Sequence, residues 1–277
     1  MPGSRTILML TFEEQLHFSE HGWVLLPEVF NTEQVTAYKA GLERLSRTRR
    51  AVEPGNDPDL TVIDNMVMHD PLFVEWFDTP RILEANKQIL GAQLRFQGVN
   101  AHIKRPHPDR HTRGTQLCDP ETLGWHRGLR PKWGNFAHDD DPRLMNCAFL
   151  NNITYLTDVA PRNGSTMILD GSHRLEGDYA VLKSQCPIVE VAAHAGDVLL
   201  FTETLLHTGV PILSETVRYN MYYGFTPPWF CSWPGMEVPK AIVDSIVDDE
   251  IRAILGRTGY FGQNPEIVQE TSGLTTL

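Results

Sequence analysis

Two histidines set the strongest constraint on this chain. His126 sits in Gly124-Trp125-His126-Arg127-Gly128, and His207 follows the apolar run Val198-Leu199-Leu200-Phe201. They are far apart in sequence, so they meet only through the fold. The local patterns are compatible with such a meeting. Leu94 to Ile103 alternates as a strand, with Gly98 placed for a bulge. Residues 147–156, Ile188–Val191, Val198–Phe201 and Arg218–Phe225 read as further strands, and Ala195-Gly196-Asp197 reads as a turn between two of them.

The flanks read as helix. Residues 11–20 form a short helix, and Gly22-Trp23-Val24-Leu25-Leu26 a strand ended by Pro27. Asn31 caps a second helix, with Gln34 at the reciprocal capping-box position and Val35, Tyr38, Leu42 and Leu45 on one face. Residues 47–66 are polar, rich in Arg, Asp and Pro, and read as a loop or lid. Thr79-Pro80 opens a third helix running to Leu90 before Gly91, and residues 241–255 return to helix. The expected class is α+β, mainly β: a closed or double-layered β-core with helices packed outside. One domain over 1–277 is expected, with a helical N-terminal part (1–92), a β-core (93–230) and a helical tail (231–277).

Composition narrows the function classes. A net charge of −11 and a pI near 5.4 argue against binding to nucleic-acid polymers or membrane surfaces. The longest apolar runs are too short to cross a bilayer. No basic-then-apolar leader pattern is read, and a cytoplasmic location is the expectation. Cys118, Cys147, Cys186 and Cys231 are dispersed without a C-x-x-C pair, as suits reduced thiols.

The chemistry concentrates at His126. A non-haem Fe(II) oxygenase needs two imidazoles and one carboxylate on one face of the metal. The carboxylate usually stands two residues after the first histidine, because i and i+2 of a strand point the same way. Here that position is Gly128, which leaves room for an anion from solution, chloride foremost. Either histidine alone would more often be an ordinary core or surface residue. Arg218 opens the strand after His207 and is suited to clamp a carboxylate; a surface ion pair is the competing role.

The run from Trp125 to Phe225 resembles the phytanoyl-CoA dioxygenase-like family of Fe(II)/2-oxoglutarate oxygenases. The matching pieces are Trp125-His126, Tyr155-Leu156-Thr157-Asp158, Asn163-Gly164-Ser165-Thr166, Gly171-Ser172-His173-Arg174, Ala195 to Phe201, His207 and Arg218. Phe18 to Val24 is similar to that family's opening. The resemblance implies a double-stranded β-helix (jelly-roll, cupin-like) core and iron on His126 and His207. It places the 2-oxoglutarate carboxylate on Arg218, O2 as co-substrate, and His173 in a structural turn. Two positions depart from the family. Gly128 replaces its Asp, as in the family's halogenase branch, where chloride on iron leads to chlorine transfer in place of hydroxyl transfer. Gly209 stands where a small hydroxyl residue often assists 2-oxoglutarate.

Alternatives remain open. His138-Asp139-Asp140 also spells His-x-Asp, and His138 and Asp140 with His207 would make a hydroxylase, although the polar segment 137–143 reads as a loop. A silent ligand-binding member that has lost its carboxylate is a third reading. For substrate, residues 102–113 gather Lys104, Arg105, Arg110 and Arg113 with His102, His107 and His111 against Asp109. This is a solvated loop of mixed charge or an anion site, to which Arg127 and Arg130 would add. Lys104, Arg105 and Arg127 are the substrate candidates. The resemblance extends to the free-standing halogenases of 2′-deoxyadenosine monophosphate, so an anionic small molecule is expected, with no carrier protein evident.

Overall fold

The computed structural model describes residues 9–48, 51–52, 59–128, 147–230 and 238–256. Its strands in chain order are β1 (Trp23–Leu26), β2 (Ala51–Val52), β3 (Leu60–Asp64), β4 (Arg95–Lys104) and β5 (Leu150–Tyr155). They continue with β6 (Thr166–Leu169), β7 (Ile188–Val191), β8 (Val198–Thr202), β9 (His207–Gly209) and β10 (Arg218–Thr226). A large sheet runs β1-β8-β5-β10-β4-β3-β2 and a small one runs β7-β6-β9. Every pairing between these strands is antiparallel. Two antiparallel layers, with the longer helices packed on the large sheet, give the expected mixed architecture.

The helices begin where their caps place them. Thr11 and Glu14 form a capping box for Phe12–His21, which ends at Gly22 in the left-handed region (φ 83°). A side chain at Gly22 would also lie 2.5 Å from the His173 ring. Asn31 and Gln34 form the predicted box for Thr32–Ser46, whose Val35, Tyr38, Leu42 and Leu45 are buried. Pro80 opens Pro80–Leu90, where its missing N–H costs nothing.

Alternation along the strands sorts the large sheet into two faces. One face puts Val24, Leu26, Ile63, Ala101, Ile103, Val198, Leu200, Met221, Tyr223 and Phe225 into a single core with the helices. Trp76 anchors it, stacked on Tyr223 with ring centroids 3.8 Å apart, its indole N–H donating to Thr154 Oγ1 at 2.8 Å. The other face turns Ile153, Tyr155, Leu199 and Phe201 toward Ile168 and Val191 of the small sheet. The Tyr155 and Thr166 hydroxyls, 2.8 Å apart, tie the sheets together.

Three expectations need correction. Within 47–66, Leu60-Thr61-Val62-Ile63 is a strand paired along β4, not part of a loop; the surrounding Asp and Pro masked its β-branched alternation. The helix expected over 241–255 is broken into Lys240–Ser245 and Asp249–Gly256, with Asp248 Oδ1 accepting the Ile251 N–H at 2.9 Å. Residues 147–149 precede the strand that starts at Leu150. The bulge does lie beside Gly98: Gly224 pairs Gly98 and Phe225 pairs Phe96, so Gln97 is the extra residue. Among the described residues no helix is long and apolar enough to cross a membrane.

Candidate metal and co-substrate site

His126 and His207 face one another across the sheet edge. The His126 N–H donates to the His207 carbonyl at 3.1 Å, and the His207 N–H donates back at 3.0 Å. Their rings lie 4.4 Å apart, centroid to centroid. The two rings are held alike. His126 Nδ1 is 2.9 Å from the Gly124 carbonyl, and His207 Nδ1 is 2.9 Å from the Leu205 carbonyl. A carbonyl only accepts, so each Nδ1 carries a proton; in the neutral ring Nε2 then keeps its lone pair, the tautomer a metal ligand needs. Burial, helped by the neighbouring His126, lowers the His207 pKa to about 4, which keeps it neutral near pH 7.

One turn positions both histidines. Ser172, buried in Gly171-Ser172-His173, accepts the Leu206 N–H on its Oγ at 2.9 Å. Its carbonyl accepts from Arg127 at 3.3 Å. The residues next to His126 and His207 are thus fastened to the same loop, which gives the Gly-Ser-His motif its structural role. His173 Nε2 is 3.2 Å from the Ser19 carbonyl. Trp125 stacks on Tyr179, centroids 4.6 Å apart, and donates to the Pro120 carbonyl at 2.8 Å.

Arg218 starts β10 and is only 6% exposed. One guanidinium N–H donates to the Gly164 carbonyl at 2.6 Å, while Nε is buried without a hydrogen-bond partner. A buried guanidinium with a spare donor fits an anion. Residues 207 and 209 share one face of β9, and a Cβ on Gly209 would lie 3.8–3.9 Å from the Arg218 terminal nitrogens. Hence the guanidinium opens toward the same side as the His207 ring. Register extends this face: Asn220 pairs His102, and Tyr222 pairs Asn100. The Asn100 and Asn220 amide oxygens are likewise buried without partners. His102 packs against Tyr222 at 4.5 Å, and burial next to Arg218 and Lys104 takes its pKa down to about 3. This is a polar wall of uncharged groups beside Arg218, with Lys104 paired opposite it in the sheet.

The position beside Gly128 is filled. Its N–H donates to the Glu203 carbonyl at 2.9 Å, and a Cβ built there would collide with the Glu203 side chain, carboxylate included. The Asn151 amide donates to the other Glu203 oxygen. Burial raises the Glu203 pKa; Asn151 and the nearby His126 pull it back. Among the described residues no three His, Cys, Asp or Glu side chains converge at metal-ligand spacing. No sequence pattern singles out Glu203, although it stands four residues before His207.

The other candidates are placed elsewhere. Arg105 donates to Thr61 Oγ1 at 3.0 Å, and Thr61 pairs Ile103, whose side chain lies in the helix-covered core. Arg127 is spent on the carbonyls of Ser172, Leu175 and Gly177. Lys104 shares the Arg218 face but pairs with Asp59 at 3.2 Å. Arg110 and His111 both meet Glu215. The 102–113 segment thus begins as the end of β4 and continues into a short helical turn at Arg110–Arg113, and the cation it brings beside Arg218 is Lys104. His138, Asp140 and Arg130 lie outside the described residues.

Comparison with known proteins places the chain in a family. The family model described as "Phytanoyl-CoA dioxygenase (PhyH)" matches residues 18–220. The chain belongs to the phytanoyl-CoA dioxygenase family. Ectoine dioxygenase of Bordetella parapertussis is 28% identical over 174 residues, 60% of this chain and 50% of that protein. The chain therefore spans about half the length of that relative. Dioxygenase af480 of Aspergillus fumigatus is 24% identical over 84% of this chain and 73% of its own. Among solved structures, HygX from Streptomyces hygroscopicus with nickel and 2-oxoglutarate bound superposes with a TM-score of 0.65 at 23% identity, over 81% of this chain and 90% of HygX. The nogalamycin carbocyclase SnoK gives 0.61 at 21% identity, over 78% and 84%. Both share the fold.

Proposed function

We propose that this chain is an Fe(II)- and 2-oxoglutarate-dependent oxidoreductase acting on a small polar molecule. The observation that carries the reading is the pair of imidazoles, both with Nδ1 committed to a backbone carbonyl, beside a buried arginine with a free donor. His126 and His207 would hold iron through Nε2, and Arg218 would clamp the distal carboxylate of 2-oxoglutarate. When bound, this pair supplies the oxidising power for attack on an unactivated C–H bond using O2. The protein's own residues bind and orient. Phe201 packs its ring edge-on 4.6 Å from His207 and limits how that imidazole can turn; Asn100, His102, Asn220 and Tyr222 present neutral donors and acceptors to substrate or co-substrate. HygX was solved with nickel and 2-oxoglutarate and, in one structure, with hygromycin B, which supports the same ligand classes here.

The finer form of the reading is halogen transfer, with chloride beside Gly128 and the sugar of 2′-deoxyadenosine monophosphate as the target. The missing side chain at 128 supports it. The Glu203 carboxylate in that space, and the pairing of Arg105 and Arg110 away from the site, support oxygen transfer to a less charged substrate instead. Anaerobic addition of Fe(II) and 2-oxoglutarate should give a visible metal-to-ligand charge-transfer band. The band should vanish in His207→Ala and weaken in Arg218→Met. A wild-type protein with no band would overturn the reading. With iron loaded, mass spectrometry of nucleotide monophosphates incubated with chloride decides the finer form: a chlorinated product supports it, and turnover to hydroxylated product alone removes it.

A further inference from the structure

We propose that Glu203 supplies the carboxylate that Gly128 lacks, so that the third protein ligand of the metal comes from the segment joining β8 to β9. The inference rests on iron being held by His126 and His207. In the usual arrangement the carboxylate projects from the residue two after the first histidine, on the same strand face. Here that backbone position is kept. Gly128 is hydrogen-bonded through its N–H to the Glu203 carbonyl, as His126 is to His207. The Glu203 side chain passes through the volume where an aspartate at 128 would begin. A glycine at 128 is therefore the complement of a glutamate at 203, since two acidic side chains cannot occupy one space.

The carboxylate is also held in place. Asn151 donates to one oxygen from β5, leaving the other beside Gly128, two residues from His126. Among the described residues the three side chains do not stand at ligand spacing, so the Glu203 side chain must turn toward the two imidazoles when the metal binds. Chloride in the same place would sit against a carboxylate of like charge, a costly arrangement in a part-buried site.

The experiment is anaerobic Co(II) titration, read by visible absorption, in chloride and in sulfate buffers of equal ionic strength. The wild-type protein is expected to bind Co(II) equally in both. Glu203→Gln is expected to lower affinity by about tenfold or more. Glu203→Ala is expected to bind more tightly in chloride than in sulfate, because the halide fills the vacated place. Gly128→Asp with Glu203→Ala, which returns the carboxylate to the other strand, is expected to restore most of the affinity. Wild-type affinity that rises with chloride, or Glu203→Gln binding with unchanged affinity and spectrum, would overturn the proposal. The wild-type comparison needs no variant. His126→Ala or His207→Ala binding Co(II) as the wild type does would instead refute the two-histidine site itself.

Discussion

Arg218 combines burial, positive charge and an unpartnered Nε, and the three together are costly unless an anion completes them. Lysine keeps the charge and loses the planar two-pronged donor geometry. Arg218→Lys should therefore weaken 2-oxoglutarate by about tenfold to a hundredfold, the worth of one charge-assisted hydrogen bond, while leaving metal affinity unchanged. Calorimetric titration checks both. His102, on the same wall, gives a pH signature. Its pKa is about 3 in the fold against an ordinary 6.5, because burial and the Arg218 charge disfavour the imidazolium. The unfolded chain then takes up a proton that the native state refuses. Stability is full above pH 6.5 and falls as the pH drops toward about 3, by at most ~1.4 kcal/mol per pH unit for this one group. Urea unfolding at a series of pH values from neutral down through this window should show a shallower loss in His102→Asn than in the wild type. Equal slopes would mean that His102 titrates normally.

At the scale of elements, the Gly171-Ser172-His173 turn is the device that aligns the two histidines. Ser172→Ala leaves the buried Leu206 N–H without its acceptor, at about 1–3 kcal/mol. It should also loosen His207 relative to His126, so metal affinity should fall more than the stability loss accounts for. Chemical denaturation and Co(II) binding separate the two effects. Elements with caps or clean alternation are legible in the sequence: Asn31 and Pro80 start their helices where expected, and the Gly98 bulge interrupts β4. Strand β3 is hidden because its few alternating residues are embedded in a polar stretch. At the site, His126, His207 and Arg218 stand out by residue type and spacing. Glu203 does not, since its significance depends on the cross-strand neighbour Gly128, and a pairing between distant segments leaves no periodic trace. The loop cations fail as a signal for the converse reason: composition counts charges, and Asp59 and Glu215 cancel them in space.

For the whole molecule, the site lies where the two sheets approach one another. His207 belongs to β9 of the small sheet, and Arg218 to β10 of the large one. Near the site these layers are tied by the Tyr155–Thr166 hydroxyl pair and by Arg218 donating to the Gly164 carbonyl just before β6, with the apolar contacts of Ile153, Ile168, Leu199 and Phe201 behind them. Iron held by the histidines and 2-oxoglutarate held by Arg218 would add a further tie between the layers. Binding energy would then appear as folding stability. A ligand at about a hundred times its dissociation constant stabilises the native state by about 2.7 kcal/mol. For a chain of this size, that corresponds to a rise of roughly 5–10 °C in Tm. Mn(II) or Co(II) alone should raise Tm, and adding 2-oxoglutarate should raise it further. In Arg218→Met the metal increment should survive and the 2-oxoglutarate increment should largely disappear. In His207→Ala neither should remain. Differential scanning fluorimetry of the three proteins under nitrogen gives the result directly. An undiminished 2-oxoglutarate increment in Arg218→Met would place the co-substrate elsewhere and separate the arginine from the metal site it faces.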